Sequence, residues 1–303
     1  HYLADAVRGF NTATNGSANV LTSNAGDAEA TGETTQLLSF VSNGFTLGDN
    51  SDNTYFVNRN SHTYVAWNWK ANGSGSTDTS GDIDATVSAN QTAGFSIVNY
   101  VPNGTASATV PHGLGVAPEM VFYKRYNSSS QWFCWTTVID GSDDYLVLDS
   151  TDAAAAVSQA GGTSFTSSFI RATNYGASGS PEVVAYCFAS KPSFSKVGSY
   201  TGNGSADGPM VNTGFKPAWL MIKNTSNAQD WMIWDTKRNP FNEVTQFLYP
   251  NLSADEGAGS NVLDLVSNGF KLRNAGTRNR NYNGDVYLYM AFAESPFKTA
   301  NAR

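Results

Sequence analysis

The sequence is short of charge and of long apolar runs. Lys, Arg, Asp and Glu make up 14% of its 303 residues, against about 25% in a typical soluble domain, and the net charge is −7. A nucleic-acid-binding surface needs clustered Lys and Arg. No such cluster occurs, so nucleic acid is not an expected partner. No apolar run approaches the roughly 18 residues of a membrane-spanning helix, so membrane insertion is not expected either.

Cysteine and histidine are also scarce. The two cysteines, Cys134 and Cys187, are too few for a disulfide scaffold. The residues that match them one repeat later, Ile233 and Ala291, are apolar, so we predict both cysteines as small core residues. None of the three histidines has a counterpart elsewhere in the chain, and His112, in a Pro-His-Gly turn, is predicted to be structural. Neither a zinc site nor a Ser-His-Asp arrangement is indicated, and no cofactor is expected.

What the chain does contain is a repeat. The motif Trp132-Phe133-Cys134-Trp135 returns as Trp231-Met232-Ile233-Trp234, 99 residues later. Further pairs follow in the same order: Tyr100 with Asn103-Gly104 and Tyr200 with Asn203-Gly204, then Pro118 with Lys124 and Pro217 with Lys223. This period is too long for a solenoid, whose units run to about 20–50 residues, and it fits a small domain. We therefore predict an array of similar modules.

The predicted modules divide the chain into four parts. Residues 1–71 are the C-terminal part of a truncated β-sandwich module, 72–93 a flexible Gly/Ser/Thr/Asp linker, 94–191 the second module, and 194–303 the third module with a C-terminal tail. Compared with the third module, the first lacks about 35 residues and at least two strands. Because bare sheet edges invite pairing, we expect these strands ahead of His1 or from another chain.

Alternation along the strands predicts the fold. Apolar runs such as Met120–Arg125 and Ala218–Lys223 indicate buried strands. The last strand of each module alternates large and small side chains. We expect the large face to fill the sandwich core; its members are Trp67, Trp69, Tyr186, Phe188, Met290 and Phe292. The predicted fold is all-β, with tandem antiparallel β-sandwich modules that are jelly-roll-like, the first of them incomplete.

Several motifs together resemble a known family. They are the run at 198–209, Asp235-x-x-Arg238, Ser267-Asn268-Gly269-Phe270, and the ending Met290–Glu294 with Pro296-Phe297-Lys298. As a set they resemble a recurring module at the C-terminal ends of phage tail-fibre-like and other virion proteins. The second module departs from the pattern at Gly141–Gly162, where no Asp-x-x-Arg element is evident.

This resemblance implies a setting rather than a mechanism. It implies location at the virion surface and contacts with other virion proteins and with a host surface glycan or protein. Low charge, surplus aromatic residues and the incomplete first module favour a homo-oligomer, and analogy with fibres implies a trimer.

Recurring carboxylates are the only candidates for catalysis. Asp5 with Arg8 and Glu29 returns as Asp235 with Arg238 and Glu256. Glycosidases need two positioned carboxylates, but an Asp three residues before an Arg is more simply an ion pair or a strand-end cap. We therefore predict no enzyme.

Two other classes of site, for calcium and for a surface ligand, are compatible with the residues present. Asp140, Asp143 and Asp144, or Asp78–Asp84, offer oxygen ligands for calcium, but without the EF-hand pattern turn solvation is favoured and no metal site is predicted. The paired tryptophans lie three residues apart, so on a strand one faces the core and the other faces outward or into a joint. The candidate ligand contacts are Arg278, Asn279, Arg280, Asn281 and Tyr282, which combine guanidinium, amide and aromatic groups in one turn.

Three functions are compatible with these features. The first is a tail fibre or fibre-tip segment that oligomerises and binds a host surface. The second is a capsid-decorating or fibre-shaft protein without a receptor role. The third, a polysaccharide depolymerase, would depend on Asp235 or Glu256, and the sequence favours it least.

Overall fold

The protein is built from antiparallel strands. The computed structural model describes residues 2–11, 17–30, 37–48, 57–105, 107–157, 165–173 and 180–297. No helix occurs in these ranges, and hence none that is long and apolar enough to cross a membrane. The all-β prediction is confirmed. The tail at 298–303 and residues 158–162 of the divergent Gly141–Gly162 stretch lie outside the described residues.

Strands fall into three groups along the chain, here called the first, second and third units. The first unit (to residue 71) has β1 Tyr2–Leu3, β2 Phe10–Asn11, β3 Ser17–Ala18, β4 Leu21–Thr22, β5 Leu37–Val41 and β6 Gly44–Leu47. The second (72–191) has β7 Ser76–Asp78, β8 Ala85–Asn90, β9 Phe95–Tyr100, β10 Thr109–Pro111, β11 Met120–Arg125, β12 Phe133–Thr136, β13 Asp144–Val147, β14 Ala155–Ala156, β15 Phe169–Arg171 and β16 Val183–Phe188. The third (from 192) has β17 Ser195–Thr201, β18 Met210–Asn212, β19 Pro217–Asn224, β20 Met232–Asp235, β21 Val244–Phe247, β22 Gly257–Val266, β23 Gly269–Leu272 and β24 Val286–Ala293.

The third unit is a sandwich of two four-stranded sheets. Their orders are β17-β24-β19-β20 and β18-β23-β22-β21. The first strand of this unit pairs with its last strand, and the second strand pairs with the second-last. This nested pairing is that of a jelly roll. At the β22–β23 turn, a Cβ on Gly269 would collide with the carbonyl oxygen of Val211 in β18, so this close pairing requires glycine. Between the sheets, Leu220, Trp234 and Phe270 are buried.

The second unit has one large sheet and one small one. The large sheet runs β14-β13-β12-β11-β16-β9-β8-β7, and β10 pairs with β15 across its core. Segment 72–93, predicted as a linker, contains β7 and β8, which extend this sheet from β9. That prediction was wrong because Ala85 and Val87 alternate into the core, while the buried Ser88 hydroxyl accepts from Asn72 N and donates to Gly73 O. Strand patterning overrides the Gly/Ser-rich composition.

A shared core lies between the units, and it corrects the predicted orientation of the last strands. Tyr186, Phe188 and Met290 are buried in this central cluster, and Trp67, Trp69 and Phe292 pack against it. The small faces, including Ala185 and Cys187 in β16 and Ala291 in β24, point into each unit's own sandwich instead. The large side chains are therefore core residues, but they lie in the cluster shared between the units and not in the core of a single sandwich. A period of two identifies two faces without showing what covers each.

The first unit is less complete than the other two. Its predicted last strand, Thr63–Lys70, forms no ladder, so that prediction was wrong. Its counterparts β16 and β24 each lie between two partner strands, whereas the sequence holds only two copies of those partners. Residues 63–70 remain extended, and the indoles of Trp67 and Trp69 lie against Trp219, with ring centroids 6.2 and 5.6 Å away.

The cysteines are buried and free, as predicted. Cys134 lies in the central cluster and Cys187 in the second unit's own core, on opposite faces of the same sheet. Burial raises the pKa of Cys187 to about 12 and that of Cys134 further. Both behave as small apolar side chains.

Candidate functional site

The junction between the first and second units is built by two recurring side chains. The indole Nε1 of Trp132 donates to the carbonyl of Thr22 at 2.8 Å. The ammonium of Lys124 donates to the carbonyl of Gly26 at 2.9 Å and to that of Ser130. Burial lowers the pKa of Lys124 to about 8, partly offset by Asp149 and Asp27. Backbone bonds complete the junction, with Ser130 N donating to Gly26 O and Glu29 N to Tyr126 O, both at 2.7 Å.

The second and third units meet in the same way. Trp231 Nε1 donates to Val147 O at 3.0 Å, and Lys223 Nζ donates to Thr151 O at 3.0 Å. The backbone pairs also repeat, Gln229 N to Thr151 O and Ala154 N to Thr225 O, both at 2.9 Å. The repeat therefore includes its own connector. A tryptophan and a lysine of one unit donate hydrogen bonds to the preceding unit, at the end of its strand β4 or β13 and in the segment that follows that strand.

Contacts between the first and third units close the ring. Ser23 Oγ donates to Pro250 O at 2.7 Å, and Asn24 Nδ2 donates to Ser253 Oγ at 2.9 Å. Each pair of units is therefore in contact, and all three contribute to the central cluster. Three similar units within one chain surround a common core.

The recurring Asp and Arg form the expected ion pair and cap. Asp5 Oδ1 accepts from the backbone N–H groups of Val7 and Arg8, at 3.0 and 2.8 Å. The Arg8 guanidinium binds Asp5 at 2.6 Å and Glu29 at 2.5 Å, and the hydroxyl of Tyr186 donates to Asp5 at 2.7 Å. Burial disfavours the charged guanidinium, but Tyr186, Asp5 and Glu29 outweigh it and raise the pKa of Arg8. Burial also raises the pKa of Glu29, partly offset by Arg8.

The same motif is more open in the third unit. Arg238 binds Asp235 at 2.6 Å and Glu256 at 2.8 Å. Its side chain is 13% exposed and that of Glu256 37%, against 0% for Arg8 and 9% for Glu29. Both carboxylates that were weighed as a glycosidase pair thus bind one guanidinium.

The second unit replaces the ion pair with less polar groups. Thr136 stands at the position of Asp235, and its hydroxyl accepts from Val138 N at 3.4 Å, a weaker form of the same cap. Ile139 stands at the position of Arg238 and packs against the central cluster. Met290 stands where Tyr186 does one unit earlier, and it has no hydroxyl to offer a carboxylate. An apolar pair has therefore replaced the polar one.

The predicted ligand turn at 278–282 is partly structural. Asn281 is fully buried, donating to Ser205 O and Asn274 O and accepting from Asn203 N. Arg280 is buried too, and burial lowers its pKa. Asn279 is half-buried. Arg278 and Tyr282 are exposed, and the guanidinium carbon lies 4.1 Å from the centroid of the tyrosine ring. The exposed part of this turn, here called the tip, is therefore Arg278 with Tyr282.

Buried polar groups brace the tip from below. Asn224 Nδ2 donates to Arg278 O at 2.6 Å and to Asp285 Oδ2 at 2.8 Å. The hydroxyl of Tyr287 donates to the same Arg278 carbonyl at 3.0 Å and accepts from Tyr282 N at 2.8 Å. Two exposed side chains are thus held on a fixed backbone.

Two acidic side chains of the turn at 140–144 bind a neighbouring residue of the same turn or are buried. Asp140 accepts from the N–H and hydroxyl of Ser142, as in a solvated turn. Asp144 is buried beside it, and burial together with the charges of Asp140 and Asp143 raises its pKa. Across the part of the chain that the structure describes, no cluster of three metal-ligating side chains occurs.

One surface groove was not identified from the sequence. It has a volume of about 620 Å³ and lies on the second unit, lined by Asp82, Asp84, Asn99, Tyr126 and Glu182 among others. Tyr126 and Asn99 exchange hydrogen bonds at 3.0 and 3.2 Å. Asp82 accepts from Thr109 N and Oγ1, and these bonds lower its pKa. The groove joins loops that are distant in sequence, so only the fold reveals it.

The connector role of the lysines and of Tyr186 was also missed. The signal for the lysines was present, because Lys124 and Lys223 recur at the end of an apolar run where a charge is unexpected. Tyr186 offered no such signal, since its counterparts are Trp67 and Met290.

Comparison with known proteins adds a family. No curated protein and no solved structure matches the chain. A family model described as a domain of unknown function, DUF7483, matches residues 1–296 and so spans all three units. Because this match covers nearly the whole sequence, the chain belongs to the DUF7483 family.

Proposed function

We propose that the protein is a non-enzymatic structural and adhesion protein of a virion surface, a tail fibre or fibre-tip segment that binds a host glycan or protein through the tip. One observation carries this proposal. The recurring lysines and the first tryptophan of each pair hold the units together, and the recurring Asp, Arg and Glu bind one another. Arg278 and Tyr282 instead stand exposed on a braced turn.

The chemistry of the tip suits a sugar or a polar protein surface. An exposed tyrosine ring can lie against the C–H face of a sugar, and guanidinium N–H groups can donate to hydroxyl or carboxylate oxygens. Because the backbone is already fixed by Asn224 and Tyr287, binding would cost little ordering entropy.

The test is adsorption of the purified protein to bacterial cells and to immobilised surface polysaccharides. Arg278→Ala and Tyr282→Ala are each expected to weaken adsorption about tenfold, which corresponds to the loss of a small hot-spot contact. Arg273→Ala is the matched control, since Arg273 is also an exposed arginine of the third unit, paired with Asp264. Unchanged adsorption by both tip variants would remove the tip from the proposal.

A shaft or capsid-decorating role is the main alternative. It is favoured by the ring of units, in which the repeat's polar groups serve assembly. It predicts binding to another virion protein and no adsorption to glycans. Association of the chain into a homotrimer stays a prediction, and sedimentation analysis measures it. A depolymerase would instead release soluble fragments from the polysaccharide and would lose that activity in Asp235→Asn or Glu256→Gln.

A further inference from the structure

The first unit presents apolar residues that the third unit buries. Its hairpin β5–β6 has the same register as β22–β23 next to the turn, with Phe40 paired to Phe45 as Leu265 is to Phe270, and shifts by one residue between Leu37 and Ser39. Phe40 is 40% exposed and Leu47 is 38% exposed, whereas Leu265 and Leu272 are at most 2% exposed. The ring of Phe10 lies against Phe40, with centroids 5.6 Å apart, and Phe45 is half-buried, so the inner face of this hairpin is partly covered but far more exposed than that of β22–β23.

A glycine in the third unit indicates which strand packs against the equivalent hairpin there. Gly269 must be glycine because β18 runs directly against it. Gly44 holds the matching place in the Ser42-Asn43-Gly44-Phe45 motif, but no heavy atom of the described residues lies within 4 Å of where its Cβ would be. A strand like β18 would occupy that space.

Segment 63–70 pairs with no other strand at either edge within the described part of the chain. Residues 64, 66, 68 and 70 are exposed, whereas their counterparts in β16 and β24 are buried. The indole Nε1 of Trp67 is buried without a hydrogen-bond partner. Strands equivalent to β17 and β19 would pair with both edges and cover this face.

The third unit offers the connector groups for such a segment. Tyr249 and Ser253 stand where Val147 and Thr151 stand in the second unit, and where Thr22 and Gly26 stand in the first. Those earlier carbonyls accept from a tryptophan and a lysine of the following unit. Within the described ranges no tryptophan or lysine side chain reaches Tyr249 O or Ser253 O, and Ser253–Glu256 are exposed.

We propose that this open face docks a further copy of the first half of the repeat, a segment with the sequence pattern of residues 195–231. The open face comprises residues 63–70, the β5–β6 hairpin, and the carbonyls of Tyr249 and Ser253. The docked segment adds strands like β17 and β19 to residues 63–70 and a strand like β18 to β6. Its lysine and tryptophan, the equivalents of Lys223 and Trp231, donate to Ser253 O and Tyr249 O. Main-chain pairing supplies affinity and the alternate side chains supply specificity.

The test combines the full chain with a synthetic peptide of residues 195–231 and follows amide hydrogen exchange. Exchange at residues 64–70, 44–47 and 254–256 is expected to slow by at least about tenfold. A peptide with Lys223→Met should bind more weakly, whereas one with Lys216→Met should bind as the parent does, because Lys216 is a half-buried surface lysine of the third unit that pairs with Glu294.

A fusion protein that carries the segment covalently serves if the free peptide is poorly soluble. A second copy of residues 195–231 fused directly ahead of Tyr2, with its Trp231 in place of His1, should protect the same amides and raise the melting temperature, and Ile222→Asp in the added copy alone should abolish both effects. Unchanged exchange in both experiments would overturn the proposal. So would protection of residues 64–70 in the chain alone together with sedimentation as a dimer, since a second copy would then cover the face.

Discussion

The indole Nε1 of Trp231 donates a hydrogen bond over 3.0 Å to the carbonyl of Val147, across the boundary between the third and second units. Three residues along the same strand, Trp234 points the other way into the third unit's own core, and its Nε1 has no partner. One tryptophan of the pair thus bonds to the neighbouring unit, and the other packs in the core of its own unit.

This difference predicts unequal costs for the same substitution. Trp231→Phe and Trp234→Phe remove the same atoms from almost fully buried sites, but only the first removes a hydrogen bond. We expect Trp231→Phe to lower the free energy of unfolding by about 1–2 kcal/mol more than Trp234→Phe. Urea denaturation followed by circular dichroism measures both; equal losses would contradict a joining role for the indole N–H.

The two Asp–Arg–Glu motifs predict a second contrast. Arg8→Met leaves Asp5 and Glu29 buried without their cation, so we expect a loss of about 3–5 kcal/mol. Arg238→Met breaks the same bonds at a more exposed site, so we expect about 1 kcal/mol. Denaturant midpoints of the two variants give the comparison. If Arg238→Met were as costly as Arg8→Met, burial against Tyr186 would not be what makes the first motif strong.

The sequence predicted the parts of the structure that depend on local pattern. Alternation and turn residues predicted the strands of the third unit, and the Asp-x-x-Arg spacing predicted the ion pair. It could not predict that Phe188 and Phe292 face a joint, because that depends on the packing of whole units. For the same reason, Arg280 and Asn281 looked like tip residues until the loop at 203–205 was seen to cover Asn281.

His112 predicts a stability change in mild acid. Its side chain is buried, Nδ1 accepts from Leu114 N and Nε2 contacts Thr166 O, so the neutral ring fits. Burial lowers its pKa below the ordinary 6.5. As the pH falls below 6.5, the unfolded chain takes up a proton that the folded chain does not, so the folded state loses stability.

His112→Gln, which keeps a donor for Thr166 O, should remove that contribution. Urea midpoints at pH 7.5 and pH 5 should therefore fall less in the variant than in the parent protein. An equal fall in both proteins would assign the acid sensitivity to other groups.

Lys124 and Lys223 predict a pH dependence of the same sign in alkali, because their pKa values are lowered as well. Burial lowers both pKa values from 10.5 to about 8. Below pH 8 both states hold the protons, but between pH 8 and 10.5 the unfolded chain keeps protons that the folded chain has lost. The free energy of unfolding should therefore rise with pH in this window, by at most about 1.4 kcal/mol per pH unit for each lysine. The two buried cysteines give a slope of the reverse sign in this range, because the folded chain keeps thiol protons that the unfolded chain loses above about pH 8.5. The reference protein for this measurement therefore carries Cys134→Ala and Cys187→Ala. Guanidinium denaturation of the reference protein at pH 7.5, 8.5 and 9.5 measures the slope below the range where tyrosines ionise in the unfolded chain.

Single variants test whether the connector lysines cause this change of unfolding free energy with pH. Lys124→Met and Lys223→Met should each reduce it and should also weaken one junction, because Gly26 O or Thr151 O then loses a charged donor. Lys216→Met, at a half-buried surface lysine of the third unit, should keep the slope of the reference protein. If the stability of the reference protein were flat or falling from pH 7.5 to 9.5, desolvation would not be lowering the pKa values of the two ammonium groups. The junctions would then depend on the tryptophan and backbone bonds alone.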